Sequence, residues 1–141
     1  MVSLEIIKSA KAFLCWDCYH DLSIQLIPVR ESAAYYYPPA EMGSIVLFYN
    51  SSTENHLGSL CLLFHEAGHH IQYKQWLKKN ESESYWKCIQ TPNGSEKIKL
   101  EHESWNLGRD LFQRFLEKEK LDTNLLNKYD SLSMDHTQTY S

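Results

Sequence analysis

Leu60-Cys61-Leu62-Leu63-Phe64-His65-Glu66-Ala67-Gly68-His69-His70-Ile71-Gln72 is the stretch whose reading decides the rest of the chain. An apolar run leads straight into H-E-x-x-H, so the segment reads as a buried helix. His65 and His69 are one helical turn apart, and both imidazoles leave the same face. Two imidazoles placed in this way can hold one metal ion. Glu66, next to them, is placed to work on a water at that ion rather than to bind the ion. The expectation is a zinc site with His65 and His69 as metal ligands and Glu66 as the catalytic base.

Working outward, the helix should run from about Leu57 to Lys79. Before it, Gly43 to Tyr49 is rich in β-branched and aromatic residues and reads as the strongest strand. Its edge, if exposed, would offer a substrate backbone a place to pair beside the metal. Leu22 to Val29 alternates apolar and polar residues, as a half-buried strand does, with Pro28 marking an edge or an end. Tyr35-Tyr36-Tyr37-Pro38-Pro39 must be extended or turning, and three consecutive tyrosines cannot all face inward. Residues 3 to 14 have the spacing of an amphipathic helix with Ser3 as a cap.

Cys15-Trp16-Asp17-Cys18 has knuckle spacing, but Cys61 and Cys88 stand alone, so the second pair that a structural zinc site needs is missing. These cysteines are expected as free thiols, Cys15 and Cys18 packing where the first helix gives way to a strand. After the metal helix, residues 80 to 96 are polar, with Pro92 and an Asn93-Gly94 turn signal. They read as an insertion or mobile flap, part of which docks through Tyr85-Trp86 and Cys88-Ile89. A second long helix is expected from about Lys97 to Lys120 and a short one from Asp122 to Tyr129. The predicted organisation is a single domain over 1–129 and a polar tail over 130–141.

A catalytic zinc needs three protein ligands and an open position. On the second long helix, Leu100, Ser104, Leu107, Gly108, Leu111, Phe112 and Phe115 define the inner face. Glu101 lies about 50° from the centre of that face and Glu103 about 110°. A carboxylate turned inward needs a cation. Glu101 is therefore the expected third ligand and Glu103 the alternative, with Asp110 further out and His102 on the surface. His70 points some 100° away from His69 and is not expected to bind the metal. Tyr73, Tyr85, His70 and His136 are candidate donors to a developing oxyanion.

The chain of 141 residues, with 43% apolar and 23% charged residues, suits one globular domain. A net charge of −4 without a basic stripe argues against nucleic acid as a partner. No stretch has the length of a membrane span, and the mixed first fourteen residues do not read as a signal peptide. A cytoplasmic protein is expected.

With these residues quoted, the chain resembles the gluzincin-type zinc metallopeptidases, in particular the small ImmA/IrrE-like group. His65-Glu66-Ala67-Gly68-His69 matches the first motif, and Glu101-His102-Glu103-Ser104 matches a downstream Glu-x-x-small pattern. Where the family often carries Asn or Asp, this chain has Trp105. The resemblance covers roughly residues 1–120 and selects Glu101. It implies a minimal zincin-like α+β fold: an antiparallel or mixed sheet of about three strands packed against the H-E-x-x-H helix and a second long helix. It also implies hydrolysis of a peptide bond in a protein or peptide substrate, a regulator among the candidates, by metal-activated water with Glu66 as base. The alternatives are a catalytically silent metal-binding module that docks a protein partner, and a metal-free helical protein.

Overall fold

The computed structural model describes residues 1–37, 42–92 and 94–138. It is α+β: helix α1 (Leu4–Ala12), strands β1 (Leu22–Val29), β2 (Ala33–Tyr37) and β3 (Gly43–Asn50), then helices α2 (Leu57–Lys78), α3 (Ser82–Gln90), α4 (Ser95–Lys118) and α5 (Leu126–Gln138). A π-helical turn over Phe13–Cys18 carries Phe13 and Leu14 into the core before β1. The expected small sheet against two long helices is what forms.

The sheet order is β1-β3-β2, with β1 parallel and β2 antiparallel to β3. Leu22 and Ile24 of β1 and Ile45 and Leu47 of β3 alternate with more exposed neighbours. Their apolar face packs on α2, as the period of two requires. The strand edge expected on β3 is therefore corrected. β3 is central and both its edges are paired, whereas β2 is an outer strand. Pro28 falls near the end of the other outer strand, where a missing N–H does least harm. Of the three tyrosines, Tyr36 turns inward while Tyr35 and Tyr37 are half-exposed. Pro38, Pro39 and Asn93 lie outside the described residues.

Helix α2 is buried on nearly every face, as expected of a helix enclosed between a sheet and other helices. Asn55 Oδ1 accepts the Leu57 N–H at 3.3 Å and the Val2 N–H at 3.0 Å, tying the chain's start to the start of α2. Asn80, in the left-handed region at φ 59°, ends it by letting the Glu81 N–H reach back to the Trp76 carbonyl at 2.9 Å. Phe64 stacks on Phe112 of α4 at 5.0 Å, and full burial of such a ring contributes roughly 1.5–3 kcal/mol. Two glycines set how closely α2 and α4 approach. A Cβ on Gly68 would overlap the Ser104 carbonyl, and one on Gly108 would overlap the Phe64 carbonyl.

Two expectations downstream of α2 need correcting. The polar segment at 80–96, expected as an insertion or mobile flap, contains a helix, α3, while its expected docking through Tyr85 holds, that ring being fully buried. The polar tail expected from residue 130 is, as far as Gln138, the continuation of α5. Its inner stripe of Leu126, Tyr129, Leu132 and His136 follows helical spacing, and residues 139–141 lie outside the described residues. The Tyr129 hydroxyl donates to the Trp105 carbonyl at 2.6 Å, next to the space that Gly108 leaves open. Asp130 accepts from Arg109 at 2.7 and 3.1 Å.

Candidate metal centre

The α2–α4 crossing brings His65, Glu66, His69 and Glu101 into one buried cluster. Glu101 Oε2 lies 3.1 Å from His65 Nε2 and 3.3 Å from His69 Nε2. His65, Glu66 and His69 can offer ligand atoms all within 4.8 Å of one another. Glu101 Oε1 faces the Lys97 ammonium at 3.1 Å. Glu103, the alternative, is exposed and accepts a hydrogen bond from Gln72 Nε2 at 2.9 Å. His102 and Asp110 are exposed, as expected.

The hydrogen bonds around the two imidazoles settle which nitrogen is bare. The Ser104 hydroxyl donates to the His65 carbonyl at 2.8 Å, so its oxygen, 3.0 Å from His65 Nδ1, accepts the proton of that nitrogen. Gln72 donates its amide to the Leu100 carbonyl at 2.8 Å and to Glu103. Its oxygen therefore faces His69 Nδ1 at 2.9 Å and accepts from it. The Tyr85 hydroxyl closes this network, donating to the His69 carbonyl or to Gln72 Oε1, both at 3.1 Å. Both Nδ1 atoms are thus donors, which leaves both Nε2 atoms as lone pairs in the neutral rings.

Two imidazole lone pairs and a carboxylate oxygen that accepts no hydrogen bond consequently face one another in a buried space. Such a set repels itself unless a cation lies between its members. Nitrogen and oxygen ligands about 2.0–2.2 Å from a tetrahedral zinc stand about 3.3 Å apart, close to the separations found. The residues fit a metal ion.

Burial and close contact perturb all four groups. Burial holds the His65 pKa down to about 3, outweighing Glu101. Burial also works to raise the Glu101 carboxyl, but the facing imidazoles outweigh it and hold the group well below the usual carboxylate range. At His69 burial is overcome by Glu101 and Glu66, and the group is raised. Glu66 is pushed up by burial to about 7.

A cleft of about 460 Å³ opens beside the cluster, with Ala33, Ala34 and Tyr35 of β2 along one wall and Trp86 and Ile89 of α3 on another. Of the four donors suggested from sequence, only His136 lines it. Tyr85 is occupied behind His69. His70 belongs to another network, in which its Nε2 donates to Asp21 at 3.0 Å and its Nδ1 accepts from the Tyr36 hydroxyl at 2.8 Å. This chain of hydrogen bonds ties β2 to α2. Burial works to raise the Asp21 carboxyl, but His70 and Lys74 hold it below its ordinary value.

Trp105 stacks flat on His65, centroids 4.1 Å apart and planes 15° apart. The hydrogen bond that an Asn or Asp at that position would offer comes instead from Ser104. Neither Gln72 nor Tyr85 reads from sequence as a partner of His69. Gln72 falls three residues after His69 on the same helix, and that spacing is the only local signal.

No protein-family model matches the chain, nor does any curated protein or solved structure compared with it. Among the described residues, no helix is long and apolar enough to cross a membrane.

Proposed function

We propose that the chain is a zinc-dependent metallopeptidase of gluzincin type, with zinc held by His65 Nε2, His69 Nε2 and Glu101 Oε2. The observation that carries this reading is the convergence of three lone-pair atoms, 3.1 and 3.3 Å from Glu101 to the two rings, whose tautomers are set from behind by Ser104 and Gln72. A two-nitrogen, one-oxygen donor set with room beside it is the catalytic rather than the structural pattern for zinc. A zinc ion so held supplies Lewis acidity, bringing the pKa of water from ~15.7 toward ~7 and polarising a carbonyl.

The chain's own residues do the rest. Glu66, beside the His65 and His69 ligand atoms, accepts a proton from the water that attacks the scissile carbonyl. It then returns that proton to the departing amine nitrogen. The side of β2 facing away from β3 pairs with no strand among the described residues. An extended substrate backbone is read as lying there, with its side chains against Trp86 and Ile89. The substrate class is a flexible segment of a protein, a regulator among the candidates. The place of action is the cytoplasm, in keeping with four free thiols.

The deciding experiment is metal content by elemental analysis, together with a search for newly cleaved protein ends in cells carrying wild type or Glu66→Gln. The expected result is one zinc per chain in both proteins and cleaved ends with the wild type alone. Cleavage that survives in Glu66→Gln, or a chain without zinc, would overturn the reading.

A further inference from the structure

His136 reaches the cluster from a different element than the other donors. Its ligand nitrogen, that of His65 and a carboxylate oxygen of Glu101 all lie within 4.8 Å of one another. The ring stands edge-on to both His65 and Trp105, with centroids 5.5 Å away in each case. Its helix is not loosely placed. Tyr129 donates to the Trp105 carbonyl at 2.6 Å and Asp130 pairs with Arg109, both about two turns before His136. The inner stripe that begins with Leu126 and Tyr129 therefore ends in an imidazole beside His65 and Glu101, where a leucine would otherwise continue it.

Building on the zinc reading above, we propose that His136 is a fourth protein donor to the same ion, so that α5 closes the metal's remaining position in the resting chain. A zinc with three nitrogen donors and one carboxylate from the protein has a complete tetrahedral set. Its vacant position then exists only when this imidazole is displaced, and a substrate carbonyl or water has to compete with it. His136 is in this sense a latch rather than a base, and the C-terminal helix sets when the centre is open.

Cobalt(II) substituted for zinc in the full-length chain tests this through coordination number, with no substrate needed. Wild type should bind one cobalt with the intense visible bands of a four-coordinate ion. His136→Ala should still bind one, about tenfold or more weakly, with weaker bands as solvent enters. His136→Cys should keep the intense bands and add a thiolate-to-cobalt charge-transfer band in the near ultraviolet. That new band carries the decision if the alanine variant fails to fold. Wild-type affinity and spectrum in His136→Ala, or no charge-transfer band in His136→Cys, overturns the latch while leaving the zinc centre standing. A wild-type chain that takes up no metal, or full affinity in His65→Ala, overturns the zinc centre and the latch together.

Discussion

Ser104 grips His65 at two points, giving its proton to the His65 carbonyl at 2.8 Å while its oxygen stands 3.0 Å from the ring's Nδ1. One side chain thus fixes both the backbone and the tautomer of a proposed ligand. Removing it in Ser104→Ala leaves the ring free to turn and its Nδ1 proton unmatched. The expected result is a zinc affinity lower by about 10- to 100-fold with the fold retained, measured by chelator competition. Unchanged affinity would show that Trp105 stacking alone orients the ring.

Gln72 plays the matching part for His69 and is itself fully buried. Gln72→Leu keeps the volume but removes both the acceptor for His69 Nδ1 and the donor to the Leu100 carbonyl. Leaving such groups unpaired costs about 1–3 kcal/mol each. Urea unfolding should register a loss of that order, and zinc titration a weaker site. A variant as stable as wild type would mean that Tyr85 takes over both bonds.

The helix crossing has no room for a methyl group at Gly68 or Gly108, where a Cβ meets the Ser104 and Phe64 carbonyls. Backbone cannot step aside as a side-chain tip can. Gly68→Ala and Gly108→Ala are each expected to destabilise by about 1–3 kcal/mol. Because Glu101 rides on the displaced helix, both should also lose zinc affinity. Gly58, with nothing near its Cβ position, is the control: Gly58→Ala should leave both measurements unharmed.

Glu66 gives a pH signature in the metal-free protein. Its carboxyl is pushed from 4.5 up to about 7 by burial, so between those values the folded chain binds more protons than the unfolded one. Stability contributed by this residue therefore falls as pH rises through that window and stays low above it. In chelator-treated protein, Glu66→Gln should match wild type near pH 4.5 and be more stable above about pH 7, on the order of 2–3 kcal/mol. Denaturant midpoints measured at the two ends of the window check this. Parallel pH profiles for the two proteins would refute it.

Gly43 is the last position with a sharp expectation. A Cβ there would run into the His70 ring and touch Tyr36, breaking the link that holds β2 against α2. Gly43→Ala should lower the melting temperature and loosen the β2 amides in hydrogen exchange. Protection of those amides equal to wild type would show that pairing with β3 alone holds the strand.

Much of this molecule is legible in sequence because the decisive signals are local. The one-turn spacing of His65 and His69, the inward phase of Glu101 relative to Leu111 and Phe115, and the alternation in β1 each need only a few residues to read. Order within the sheet is different. It depends on long-range pairing, so nothing within Gly43–Asn50 reveals that β3 is central and that β1 and β2 are the outer strands. Helix α3 hides because Tyr85 is its one buried residue, too little for a periodic pattern. The second half of α5 hides because serines, an aspartate and a histidine occupy its turns, and polar composition there reads as tail. In sequence His136 reads as a possible donor but not as a neighbour of Glu101, since that proximity arises only once α5 has docked.

Trp86 and Ile89 shape the cleft, yet they stand on a helix that supplies none of the three proposed zinc ligands. It is tied to them from behind, through Tyr85 against the His69 carbonyl and through the Ile89 backbone carbonyl, which accepts from the Lys97 ammonium that faces Glu101. Changes of side chain along the outer turns of α3 can therefore alter which sequences the groove accepts without disturbing the ion-holding geometry. Divergent copies of such a chain would be expected to vary in preference first at this short helix, with the α2–α4 joint beneath it standing still.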